Sequence, residues 1–207
     1  MTVYVATKNA GKLRELEALF AGVGFALATF DGYADPVEGD TSYADNAALK
    51  ARALHAQLRA AGMAGAVLAD DSGLEVAALG GRPGVLTAYY GGAGLSWSER
   101  RRLLLGELAA NGGMDRRARF VCALHFIAAG GRELTATGTV DGEIALEERG
   151  ELGFSFDPVF FYPLAGRTFA ELSAEEKNRV SHRARAAAAL LASPADGGSS
   201  LGGDPAS

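Results

Sequence analysis

The chain has 207 residues, 48% hydrophobic and 22% charged, enough for a substantial core in one domain and far from the composition of a disordered or collagen-like chain. A formal charge of −5 argues against binding to long nucleic acid, which needs basic surface to displace counterions, but not against a small anion held in a local basic pocket. The single cysteine, Cys122, excludes an internal disulfide framework, and no apolar run approaches membrane-spanning length.

Thr2 to Thr7 reads as a short strand with no charged leader or long apolar segment before it, so the expected compartment is the cytoplasm. Asn9-Ala10-Gly11 then turns the chain into a helix with Leu13, Leu16, Leu19 and Phe20 on one face and Gly22 near its end. Phe25 to Phe30 is a possible strand. Thr41/Ser42 opens a second helix, with Asp45 placed for a capping-box-like start and Leu49, Leu54 and Leu58 as the expected apolar stripe. Ala66 to Ala69 is a strand of the buried type. A tight turn is expected at Ser72-Gly73, with the structure resuming from Leu74 to Leu79.

Ser96-Trp97-Ser98-Glu99 is a capping box before a helix ending near Asn111-Gly112. Arg119 to Ala128 and Glu133 to Leu146 alternate as paired strands, with Ala129 to Arg132 as their hairpin turn. Val159 to Tyr162 reads as the last strand. Ser173-Ala174-Glu175-Glu176 caps an alanine-rich helix running to about Ala192, and residues 193–207 read as a disordered tail. Early alternation of helices and strands followed by consecutive strands predicts an α/β fold with a mixed sheet in a single domain, residues 1–192.

Five stretches carry potential chemistry. ATKNAGK, residues 6–12, has the form of a phosphate-binding turn: a strand ends, small residues let the backbone approach, and a helix begins beside Lys12. It is not a Walker A loop, whose first glycine and Ser/Thr are replaced by Ala6 and Leu13. Glu38, Asn46 and Lys50 form a second group, the last two on one helix face. Asp70 and Asp71 follow an apolar strand. Adjacent strand residues point to opposite faces, so the two carboxylates are expected to divide their work. Three scattered histidines give no zinc pattern, and a hard cation such as Mg²⁺ fits one or two carboxylates plus substrate phosphates. GFSFDP, residues 153–158, offers an aromatic face and an acid. KNRVSHR, residues 177–183, is a basic cluster.

TKNAGK, ADDSGLEVAALGGRPG, GFSFDPVF and TFAELSAEEKNRVSHR, in this order and spacing, resemble the inosine triphosphate pyrophosphatase family across residues 2–192. The resemblance implies an elongated α/β fold with a central mixed sheet flanked by helices, two lobes around a substrate cleft, Mg²⁺ dependence and a homodimer. It also implies cleavage of ITP, dITP and XTP to the monophosphate and pyrophosphate. Carried over by position, it places Thr7, Lys8, Asn9, Ala10, Gly11 and Lys12 against the triphosphate and makes Glu38 and Asp71 metal positions, Asp71 being also the proton acceptor. Lys50 and Ser72 fall at substrate-binding positions. Phe154 stacks on the base within a turn that includes Ser155 and Phe156, while Asp157, Lys177, His182 and Arg183 complete the contacts. Asp70, off the face of Asp71, is expected to orient either the turn or a neighbouring basic group. Three positions depart from the family pattern: Lys8 stands where a small residue is common, Ser155-Phe156 replaces Gly-Tyr, and Thr87-Ala88-Tyr89 replaces Ser-Ala-Arg. The alternatives are a pyrophosphatase for other modified nucleotides or a nucleotide-binding module without turnover.

Overall fold

The computed structural model describes residues 1–40 and 42–193, so Thr41 and the tail expected after Ser193 lie outside the described residues. The strands are β1 (Thr2–Ala6), β2 (Ala26–Ala28), β3 (Ala66–Val76), β4 (Pro83–Gly84), β5 (Arg117–Ile127), β6 (Glu133–Ile144), β7 (Phe160–Tyr162) and β8 (Arg167–Thr168). The helices are α1 (Ala10–Leu19), α2 (Tyr43–Ala60), α3 (Trp97–Ala110), α4 (Ala174–Val180) and α5 (His182–Ala192). One eight-stranded mixed sheet has the order β2-β1-β3-β5-β6-β7-β8, with β4 paired to β3. β1 runs parallel to β2 and β3, whereas β3/β4, β6/β7 and β7/β8 are antiparallel.

The described residues divide into two compact units: those of 1–71, 122–138 and 183–193 form the first, and 72–121 and 139–182 the second. In the first unit the alternation of β3 is explicit. Ala66 and Leu68 pack with Leu16 and Phe20 of α1 and Ala186, Ala187 and Leu190 of α5. Val67 and Ala69 pack with Ala51, Leu54 and Leu58 of α2. The second unit has its own core, in which Leu74 and Val76 meet Leu104, Leu108, Phe120, Phe156, Phe160 and Phe169.

Four expectations are corrected. No turn forms at Ser72-Gly73: β3 continues to Val76 because Leu74 and Glu75 find partners in β4, and Thr87 Oγ1 accepts the Leu74 N–H at 2.8 Å. Leu49 is exposed, and Ala47 and Ala51 join Leu54 and Leu58 on the buried face of α2; five residues of helix rotate Leu49 well away from Leu54. The basic segment is two helices, broken at Ser181, whose extended backbone (ψ 158°) ends α4 before α5 begins. Lastly, β8 follows the strand expected to be the last.

Candidate active site

The first unit assembles two ion networks on the two faces of β3. At the end of β1, Asn9 caps α1: its Oδ1 accepts from Gly11 N at 2.9 Å and Lys12 N at 3.2 Å, while Thr7 Oγ1 accepts from Asn9 N at 3.1 Å. These side-chain bonds hold the Thr7–Lys12 turn in the form the sequence predicts, with Ala10 exposed and Gly11 buried. Lys8 points outward and pairs with Asp35 at 2.9 Å on the surface. Lys12 instead turns inward and its ammonium pairs with Asp70.

Asp70 carries on the parity of Ala66 and Leu68, so it faces α1 and α5. Its side chain is wholly buried. Oδ1 meets Lys12, while Oδ2 accepts from Arg183 Nε at 2.9 Å and from the Cys122 thiol at 3.1 Å. Arg183, itself 1% exposed, also pairs through its Nη1 with Glu15 of α1. Burial alone would raise the Asp70 carboxyl; the charges of Arg183 and Lys12 overcome it and hold the group well below the usual carboxylate range. Burial and the Asp70 charge push the Cys122 thiol up, which keeps it a neutral donor.

Asp71 carries on the parity of Val67 and Ala69 and therefore faces α2. Lys50 Nζ lies 2.6 Å from Asp71 Oδ1 and 3.4 Å from Glu38 Oε1, and Asn46 Nδ2 reaches Asp71 Oδ2 at 3.4 Å. Asn46 also clamps the chain beside Glu38, accepting from Gly39 N at 2.8 Å and donating to Gly39 O at 3.0 Å. Burial pushes the Asp71 carboxyl up, with Lys50 and Lys12 opposing, so the two neighbouring acids are shifted in opposite directions. Among the described residues no three His, Cys, Asp or Glu side chains gather as a metal cluster. The fit to a cation rests on two carboxylates: Glu38 and Asp71 already converge on one positive charge, the Lys50 ammonium, as a hard cation completed by phosphate oxygens requires.

The second unit contains Ser72, half-buried in β3, and the turn from Gly153 to Asp157. Phe154 N donates to Asp157 Oδ2 at 2.7 Å, and Lys177 Nζ bonds the same carboxylate at 2.5 Å while lying 4.9 Å from the Phe154 ring centre. Gly153 and Ser155 have φ of 73° and 59°, left-handed backbone that glycine adopts readily and serine does not. Phe156 does not offer its ring to a ligand. It is fully buried, edge-on to Trp97 at 5.7 Å and Tyr90 at 6.2 Å, so only its main chain is available for substrate. His182 is buried and stacks on Phe120 at 4.7 Å. In the departing Thr87-Ala88-Tyr89 stretch, Thr87 Oγ1 donates to Gly84 O at 2.6 Å, whereas Tyr89 is exposed.

Sequence reasoning missed Glu15 and Cys122 as members of the Asp70 network. Glu15 is separated from Arg183 by 168 positions and Cys122 from Asp70 by 52, and no local pattern marks either.

The Ham1 family model matches residues 3–193. The dITP/XTP pyrophosphatase of Geobacillus kaustophilus is 46% identical over 187 residues, covering 89% of each chain, and that of Thermus thermophilus is 44% identical over 199 residues, covering 95% of this chain and 93% of its own length. Among solved structures, the Ham1 protein of Coxiella burnetii is 34% identical with a TM-score of 0.78, covering 91% of this chain and 95% of its own. The Staphylococcus aureus Ham1 protein is 35% identical with a TM-score of 0.76, covering 90% and 94%. With the glycine turn, the paired acids of β3 and the aromatic turn in place along nearly its whole length, the chain belongs to the Ham1 family.

Proposed function

We propose that this protein hydrolyses deaminated purine nucleoside triphosphates, ITP, dITP and XTP, to the monophosphate and pyrophosphate, as a Mg²⁺-dependent cytoplasmic homodimer. The observation that carries the reading is the convergence of Glu38 and Asp71 on Lys50, on the opposite face of β3 from the Lys12–Asp70 pair. The names of the relatives, dITP/XTP pyrophosphatases, supply the substrate class. Among the described residues no helix is long and apolar enough to cross a membrane.

Glu38 and Asp71 would hold the cation, which supplies charge neutralisation on the phosphates when bound. Lys12 and Lys50 add fixed positive charge where negative charge develops as water attacks the α-phosphorus and pyrophosphate leaves. The backbone N–H groups at the start of α1 serve the phosphates in the same sense, although Asn9 already caps two of them. Asp71 is the residue placed to orient and deprotonate water. Asp70 is not, because three donors surround it in a buried pocket.

Phe154 offers the stacking face for the base. Discrimination follows from the purine 6-position, where an oxo group accepts hydrogen bonds and the amino group of adenine donates them. A site built around such a bond rejects the mismatched analogue by roughly 10⁴–10⁵. Arg183 already spends its Nε and Nη1 on Asp70 and Glu15, so base recognition falls mainly to other donors, His182 and main-chain N–H groups among them.

The test is pyrophosphate release from a panel of ITP, dITP, XTP, ATP, GTP and modified pyrimidine triphosphates, with and without Mg²⁺. A strong preference for ITP, dITP and XTP, dependent on Mg²⁺, is expected. Equal turnover of ATP refutes the pocket model, and tight binding without product refutes enzyme function altogether.

A further inference from the structure

The turn from Phe154 to Asp157 holds itself only in part. Phe154 N donates to the Asp157 carboxylate and Asp157 N donates to Phe154 O at 3.1 Å, so its two ends are tied. The Phe156 carbonyl accepts from Val159 N at 3.0 Å and Phe160 N at 3.1 Å, whereas Ser155 is the one non-glycine residue at positive φ among the described residues, a conformation that crowds an L side chain. Something outside the turn must favour it.

Helix α3 supplies that contact. Trp97 and Arg101 lie four residues apart on one face of α3. Trp97 packs against Phe156, and Arg101 Nη1 donates to the Ser155 carbonyl at 2.8 Å while its Nη2 pairs with Glu148 at 2.9 Å. The Arg101 Nε is buried with no hydrogen-bond partner. A crowded backbone and an unpaired buried donor thus sit side by side, the kind of local cost that clusters where a ligand must be held in one geometry.

We propose that Arg101 is a positioning residue for base recognition. By fixing the Ser155 carbonyl it keeps the turn in the left-handed form that presents the Phe154 ring beside Lys177 and directs the Asp157 carboxylate to both Phe154 N and Lys177. In a chain with glycine at 155 the backbone reaches this form unaided; with serine it depends on Arg101. The proposal rests on the reading of Phe154 as the stacking face.

The experiment compares Arg101→Met, Arg101→Lys, Ser155→Gly and the double variant Arg101→Met with Ser155→Gly in the full-length protein. Amide hydrogen exchange of residues 154–157, melting temperature, and KM and kcat for ITP are measured. In Arg101→Met, exchange across the turn should accelerate about tenfold and KM should rise about tenfold, the scale of one lost charge-assisted hydrogen bond. The kcat should change by less than about threefold and the melting temperature by only about 3 °C or less, because the Glu148 pair is partly exposed. Arg101→Lys should retain part of the effect, and adding Ser155→Gly should recover most of the lost KM. Unchanged exchange at 154–157 in Arg101→Met overturns the proposal, as does a KM defect that Ser155→Gly leaves intact. Wild-type protein that releases no pyrophosphate from ITP refutes the functional reading instead, and the exchange rates then decide the brace by themselves.

Discussion

Replacing Asp70 and Asp71 one at a time by asparagine should separate stability from turnover. Asp70→Asn removes a wholly buried negative charge that neutralises Lys12 and Arg183. Breaking a buried pair from one side costs about 3–5 kcal/mol, and because Arg183 keeps Glu15 we place this variant near the lower end, about 3 kcal/mol. At roughly 2–4 °C per kcal/mol for a chain of this size, the melting temperature should fall by about 6–12 °C. The loss should also depend on pH. The folded-state carboxyl lies below its unfolded value, so its stabilisation is fully present above about pH 4 and fades as pH falls through the folded value. The gap between wild type and Asp70→Asn should therefore narrow as pH falls below about 4. Thermal unfolding at pH 7 measures the first effect, and urea unfolding at pH 7 and pH 3 the second. A melting temperature within about 2 °C of wild type at pH 7 refutes the reasoning, because a buried carboxylate whose ionised form the fold favours, as it does for Asp70 and not for Asp71, cannot be removed at so small a cost.

Asp71→Asn should have the opposite profile: pyrophosphate release from ITP falls by about 10³-fold or more while the melting temperature changes little, since burial already disfavours the Asp71 charge. Near-normal turnover sinks its assignment. Gly153→Ala should raise KM for ITP several-fold, because a Cβ at that left-handed position collides with the Asp157 carboxylate that Phe154 N and Lys177 share; steady-state kinetics at saturating Mg²⁺ reads it. Buried His125 has its imidazole pushed below its ordinary value by desolvation, with Glu133 at 3.2 Å opposing. The unfolded chain therefore binds more protons below about pH 6.5 and stability falls as pH drops through that window; His125→Gln should flatten the slope in urea titrations between about pH 5 and 7.

What the sequence made readable was local. The turn at Asn9-Ala10-Gly11 into α1, the Ser96 and Ser173 capping boxes and the 129–132 hairpin turn each depend on residues within a few positions, and each forms. The division of labour between Asp70 and Asp71 also followed from strand alternation alone. What local pattern did not reveal was decided by distant partners. Ser72-Gly73 has turn composition, yet β4 and Thr87 supply the hydrogen bonds that keep it extended. Nothing local marks the Phe156 ring as part of the core; Trp97 and Tyr90 pack against it there. No local pattern announced that Arg183, expected at the substrate, also binds Glu15 and Asp70.

Strand parity also limits how this site can vary over time. The two acids are distinguished by nothing in their own chemistry, only by whether an odd or even number of residues separates each from the anchored start of β3. A single-residue insertion or deletion between Ala66 and Asp71 would exchange their partners, sending one carboxylate to Lys50 and the other to Arg183, and would turn the apolar residues before them to the wrong helices. Point substitutions can drift within this segment, as small apolar residues replace one another. Its length cannot, and among lineages that keep the activity the count from Ala66 to Asp71 should stay fixed while loops such as 129–132 lengthen and shorten freely.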